Sequence, residues 1–297
     1  MEDKKVKGQS LRRGILPYLL IAPAMLILFI FVLYPIGYMA YLSFFDWNMM
    51  SPKEFVGIEN YITMFHDPTF FQTLGNTFKY TFFTLIFGMG LALAAAVFLK
   101  KNTKINRFLQ STMFMPYVMP LVSVAFIWVW LMDTDYGLLN FILELFHLPA
   151  INWLQDTKTA MYALILVSVW KSVGYNTLII LSAMQAVPKY LYEAADLDHA
   201  NGWRTFTKIT FPMISPSLFF LTLMNLIACF KVFETVNIMT AGGPVNSTTT
   251  LVYSIYQYGF NFYKLGYASA EGVVLMVIIG ICTAIYFGVL SKKVHYR

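Results

Sequence analysis

The chain has 297 residues, 58% hydrophobic, 18% aromatic and only 12% charged, with a net charge of +6. A water-soluble domain carries about 25% charged residues, so this composition excludes an ordinary soluble protein and makes lipid the solvent. The basic excess does not describe a nucleic-acid face, because Lys and Arg stand in short clusters between apolar runs, the pattern of membrane topology.

Six apolar runs reach the roughly 20 residues that a helix needs to cross the hydrocarbon, and an all-α integral membrane protein of six transmembrane helices is expected. A basic tail, residues 1–15, holds Lys4, Lys5, Lys7, Arg12 and Arg13. The first span covers 16–44, and is too long for the roughly 7–15 apolar residues of a signal peptide, so it is read as retained. An outer loop with Asp46, Trp47, Glu54 and Asp67 follows, then the second span, 74–99, with Lys79 inside it. Lys100, Lys101, Lys104 and Arg107 separate it from the third span, 108–132, which is read as one uninterrupted helix. A second outer loop carries Asp133, Asp135, Trp153 and Asp156; both tryptophans are expected in the headgroup belt.

The fourth span, 160–183, places Ser168, Lys171, Ser172 and Tyr175 at i, i+3, i+4 and i+7 on one helical face. The fifth, 215–238, places Asn225, Ala228, Cys229 and Val232 on an equivalent face. Polar groups inside spans mark transport pathways, but Ser and Asn also bind helices together, and the residues alone leave both readings open. Lys231 and Glu234, at i, i+3, are read as an ion pair or as part of an outer gate. Ala241-Gly242-Gly243-Pro244 is an external turn. The sixth span, 267–290, contains Glu271, for which Lys79 or Lys231 is the expected ion-pair partner, and a basic tail, 291–297, ends the chain. Cys229 and Cys282 both lie in apolar runs, which gives neither a disulfide framework nor metal-ligand spacing.

Fifteen Lys and Arg fall in the two tails and in the loops after spans two and four, against Lys53, Lys158 and Lys264 in the other loops. The positive-inside rule puts the fifteen, and both termini, in the cytoplasm. On that side lies YLYEAADLDHANGWRTFTKITFP, Tyr190 to Pro212, a helix-forming island between two spans. Pro188 suits a helix start, Asn201-Gly202 signals a turn, and Trp203, Phe206 and Ile209 share one side of a second short helix that Pro212 stops or hands on to span five. Lipid headgroups call for Lys and Arg on the polar face. Glu193, Asp196 and Asp198 are there instead, and Ala194 and Ala195 leave room for another backbone, so docking into a protein groove stands beside the lipid reading.

Glu193-Ala194-Ala195, three residues, a fourth position, nine more, then Ile209-x-Phe211-Pro212 resembles the E-A-A loop of permease subunits in binding-protein-dependent ABC importers, with His199 where that motif has glycine and Phe211 where it has leucine. Leu221 to Phe260, with FKVFE and GGPVNSTTTLVY, and Val169 to Pro188 resemble the carbohydrate-uptake branch, and within it the first of two sugar-permease subunits. The resemblance implies the type I importer (MetI-like) permease fold with cytoplasmic coupling helices at 188–212. It also implies pairing with a second permease, two ATPase subunits that bind ATP and magnesium, and an external solute-binding protein. It assigns Glu193, Ala194, Ala195, Asp198, Gly202 and Pro212 to ATPase coupling, with Gly202 supplying the bend that His199 does not. It likens the polar faces of spans four and five to the positions lining a sugar site. No G-x-x-x-x-G-K-[ST] sequence occurs, so energy comes from a partner or an ion gradient. A permease for another solute and an integral membrane enzyme are the alternatives, the second lacking a recognisable nucleophile or metal set.

Overall fold

A computed structural model describes residues 17–290; Leu16, both basic tails and the side chain of Leu290 lie outside what is described. The chain divides into two compact units, residues 17–64 with 258–273, and 65–257 with 274–290.

In the first unit, helix α1, Pro17–Leu42, is apolar and exposed up to its last turn, where Leu42 is buried. Tyr34 follows a π-helical turn at Phe29–Leu33, in which its N–H bonds Phe29 O, five residues back. The next residue, Pro35, has no N–H to offer the helix, and the wider turn lets the chain pass it without breaking. A two-residue hairpin then pairs β1, Phe45–Asp46, with β2, Glu54–Phe55. Its Lys53 donates to the Tyr38 hydroxyl at 3.1 Å, a bond that raises the lysine pKa, and its ammonium stands 4.9 Å from the Trp47 ring. Trp47 is thus held in a lysine–aromatic cluster. Asn60, in α2, Glu59–His66, donates to Ser43 O and Phe45 O. The start of α12, Leu265–Leu290, packs on the hairpin, where a methyl on Gly266 would lie 1.7 Å from Phe45 O. Glu271 is buried here, 1% exposed.

The second unit is built on α3, Pro68–Leu99, which Asp67 caps by accepting from Thr69 N at 2.8 Å. Its buried side carries a stripe of small residues, Thr73, Thr77, Thr81, Thr84, Gly88, Ala92 and Ala96, beside Phe70, Tyr80 and Leu99. Small side chains let membrane helices approach closely, and α7, Ala160–Gln185, packs against the stripe, with Thr177 reaching Ala92 O. The expected third span is two helices, α4, Lys104–Val118, and α5, Leu121–Leu131, bent by 100°. Met119 precedes Pro120 and is extended, φ −68°, ψ 140°, as the clash with a following proline ring dictates. Among the described residues, five helices are therefore long and apolar enough to span a membrane, or six with the bent pair as one.

In the loop after α5, buried Asn140 of α6, Leu138–Leu145, accepts from Trp153 Nε1 at 2.9 Å and from Ile151 N. Trp153 is fixed to the fold and packs on its core. The fifth expected span also differs. Helix α9, Gly202–Phe230, begins 13 residues earlier than the expected Ser215 and stops at Phe230. Short helices α10, Glu234–Met239, and α11, Leu251–Tyr256, follow.

Candidate functional site

Pro188 breaks α7 from α8, Lys189–Leu197. One face of α8 is seated: Ala195 is buried, Leu191 and Tyr192 pack on the core with Phe206 and Ile209, and the Tyr192 hydroxyl shares a 3.1 Å hydrogen bond with Thr210 Oγ1. The other face leaves Glu193, Ala194, Asp196 and Asp198 exposed, with Leu197 82% exposed. The two alanines thus separate. Ala194 is open to a partner, whereas Ala195 is small because the chain's own fold lies beneath it. A cation at the first residue, Lys189, and carboxylates at the end, Asp196 and Asp198, oppose the helix dipole. Helix stability does not account for this charge order, and such a local conflict is the mark of a functional surface.

Helix α8 ends in a Schellman turn. Ala200 N bonds Ala195 O at 2.9 Å, His199 N bonds Asp196 O at 3.1 Å, and His199 takes φ +50°. This left-handed position is where glycine is favoured, which explains the glycine of the E-A-A motif and corrects the expectation that Gly202 makes the bend. Gly202 is instead the first residue of α9, in open space, behind Asn201, whose side chain accepts from Arg204 N. Nor does Pro212 end a helix. A π turn at Phe206–Thr210, closed by Phe211 N on Phe206 O, carries α9 past it, as at Pro35. Beside this segment lies a groove of about 940 Å³, lined by Leu93, Val97, Phe98, Lys100, Lys101, Trp203 and Phe206 among others.

Spans four and five are joined through Asn225 and an amide outside the expected face of span four, Asn176. Asn225 and Asn176 exchange amide hydrogen bonds at 3.0 and 3.2 Å, and Asn225 also donates to Leu221 O. Tyr80 donates to Ser168 Oγ at 2.6 Å, Ser172 bonds Ser168 O, and the Tyr175 ring stacks on Tyr117 at 4.3 Å. Lys171 Nζ donates to Pro116 O (3.0 Å), Tyr117 O (3.3 Å) and Met119 O (2.6 Å). Cys229 and Val232 are buried, and Ala228 is exposed. In this conformation Ser168, Lys171, Ser172 and Asn225 all hydrogen-bond inside the chain. Asn176 was visible in the sequence as an intramembrane amide; Tyr80, an aromatic in an aromatic-rich run, gave no separate signal.

Lys231 and Glu234 do not share a helix turn. Lys231 caps the end of α9 and Glu234 opens α10, because the helix breaks between them. Lys79 stands 4.3 Å above the Tyr162 ring. The turn around Gly242 is tied to α3: Asn76 donates to Asn246 O and Thr249 O, Gln72 to Val245 O, and Gly242, φ +79°, has no room for a methyl beside Thr249.

The model of the binding-protein-dependent transport system inner membrane component family matches residues 85–296. The sn-glycerol-3-phosphate transport system permease protein UgpA of Escherichia coli (strain UTI89 / UPEC) is 35% identical over 284 residues, 95% of this chain and 96% of that protein. Its counterpart in Pectobacterium atrosepticum is 36% identical over 288 residues, 96% of this chain and 97% of that protein. Among solved structures, a chain of a bacterial alginate ABC transporter in complex with an alginate pentasaccharide-bound periplasmic protein superposes with TM-score 0.84 at 21% identity, covering 96% of each chain. A chain of the inward-facing MetNI methionine transporter gives TM-score 0.55 at 18% identity, over 75% of this chain and 95% of that one. The fold is accordingly the type I importer (MetI-like) permease fold. With a family match over most of its length and full-length relatives above 30% identity, the chain belongs to the binding-protein-dependent transport system inner membrane components.

Proposed function

We infer that this chain is one permease subunit of an ATP-driven importer in a bacterial membrane, and that it passes a carbohydrate delivered by an external solute-binding protein. A second permease completes the pathway, and two ATPase subunits bind ATP and magnesium and supply the energy. The chain itself catalyses no reaction. The observation that carries this reading is the E-A-A segment on α8, seated by Ala195 and presenting Glu193, Ala194 and Asp198 outward.

In this proposal the ATPase receives Glu193 and Asp198 on its surface and closes against Ala194, while Ala195, Gly202 and Pro212 set the position of α8 and the start of α9. ATP-driven closure moves that packed contact as a rigid body and swings the spans between inward and outward access. The fifteen cytoplasm-directed Lys and Arg place both termini inside, with residues 1–15 and 291–297 as tails and 16–290 as the permease domain. Along the solute route, Ala228 and Ser172 face the passage. Ser168, Tyr175, Asn225, Cys229 and Val232 form the wall behind it, and Lys231 and Glu234 belong to the outer rim with the turn that meets the binding protein.

Glu193→Lys reverses the charge at the coupling surface. Uptake is expected to fall to background while the complex still inserts and co-purifies; normal uptake would sink the coupling role. The solute class has its own test. One structural neighbour imports the acidic polysaccharide alginate, whereas the relatives are named for sn-glycerol-3-phosphate, which favours a phosphorylated polyol as the second reading. Calorimetry of the cognate binding protein against neutral oligosaccharides, acidic oligosaccharides and glycerol 3-phosphate separates them, and saccharide binding is the expected result.

A further inference from the structure

A lysine near the middle of a membrane span invites the role of a solute's counter-charge, but its surroundings assign it elsewhere. Lys171 is the twelfth residue of α7, and all three of its N–H groups have geometric partners: the carbonyls of Pro116, Tyr117 and Met119 at 3.0, 3.3 and 2.6 Å. The first two carbonyls lie in the last turn of α4, which ends at Val118, and the third is that of its extended C-cap, Met119, before the 100° bend into α5. Helix-end carbonyls have no intrahelical donor, water is absent from the hydrocarbon, and a cation favours the negative end of a helix. Within one turn of Lys171, two further contacts hold the same helix end. Gly174 comes so close that a methyl would lie 1.7 Å from Met113 O, and the Tyr175 ring stacks on Tyr117 at 4.3 Å and 12°.

We propose that Lys171 is a positioning residue, which clamps the end of α4 to α7 and so holds the broken span in its bent form, and is not a ligand of the solute. Gly174 and Tyr175 complete the clamp. The break at Met119–Pro120 is then the joint about which α5 is carried while α4 stays with α7. The consequence for uptake rests on the transport reading above, but the clamp itself does not.

Spin labels at Ser111→Cys on α4 and Ile127→Cys on α5, both exposed positions, report the bend in the assembled complex with Cys229 and Cys282 replaced by alanine, while uptake by the parent and the variants is measured with both native cysteines in place and no labels. The parent gives one narrow distance distribution. K171M is expected to broaden or split it and to lower the maximal uptake rate at least tenfold without raising the apparent KM, and K171R, which keeps charge and donors, restores both. An unchanged distribution in K171M overturns the clamp. So does a K171M effect confined to KM, which would make Lys171 a solute ligand. If K171M does not assemble, Tyr175→Leu, which removes only the ring stack, decides: broadening supports the clamp and the parent distribution overturns it. Should the distances respond while no carbohydrate is transported by the parent, the clamp stands and the solute reading fails.

Discussion

His199 shows how one residue can be plain in a sequence and obscure in meaning. The departure from glycine was readable from motif spacing alone, but a spacing does not reveal φ, and Gly202 looked like the natural substitute for the bend. The left-handed turn lies at His199 itself, φ +50°, where an L side chain costs roughly 1–2 kcal/mol. His199→Gly should therefore raise the stability of the complex by about 1 kcal/mol, seen as a higher thermal midpoint, with uptake retained. Gly202→Ala should be neutral or mildly stabilising, since the position is open and not left-handed. A lower midpoint in His199→Gly would place the bend elsewhere. The polar residues of spans four and five were legible as a set, because an amide or hydroxyl in a greasy run stands out. Their partners were not, because Asn176 to Asn225 and Tyr80 to Ser168 are joined across 49 and 88 residues.

Among the elements, proline behaves in opposite ways. At Pro120 it ends a helix, and the span is broken by 100°; at Pro212 and Pro35 a π turn carries the helix through. Hydropathy located the apolar runs because lipid demands length and little else, but it is blind to this difference. Pro212→Ala supplies the missing N–H and removes the need for the wide turn. Relaxation to α geometry would rotate Trp203 and the start of α9 by about 100°, one residue's worth of helix. We expect solute uptake per ATP hydrolysed to fall several-fold while thermal stability holds or rises. An unaltered ratio would mean that the π turn has no part in coupling.

For the molecule as a whole, the most informative quantity was the distribution of Lys and Arg, from which we infer an orientation of the spans without any knowledge of how they pack. It predicts that a membrane-impermeant maleimide labels Tyr136→Cys in intact cells, and Asn102→Cys only in inverted vesicles, in a chain otherwise free of cysteine. The reverse pattern would invert the topology. The exposed apolar side of α1 was equally foreseeable from composition, since a span with no polar face finds lipid or another subunit as its neighbour.

The continuity of α9 has a mechanical consequence. Its 29 residues form a rod about 43 Å long at 1.5 Å per residue, whereas the hydrocarbon layer is about 30 Å thick. A rod of that length set upright protrudes by roughly 13 Å, or about nine residues, which is the stretch from Gly202 to Thr210. The piece on which α8 rests is thus the handle of the membrane-crossing shaft. A push delivered there reaches the far leaflet as leverage along one backbone, with no loop in between to absorb it.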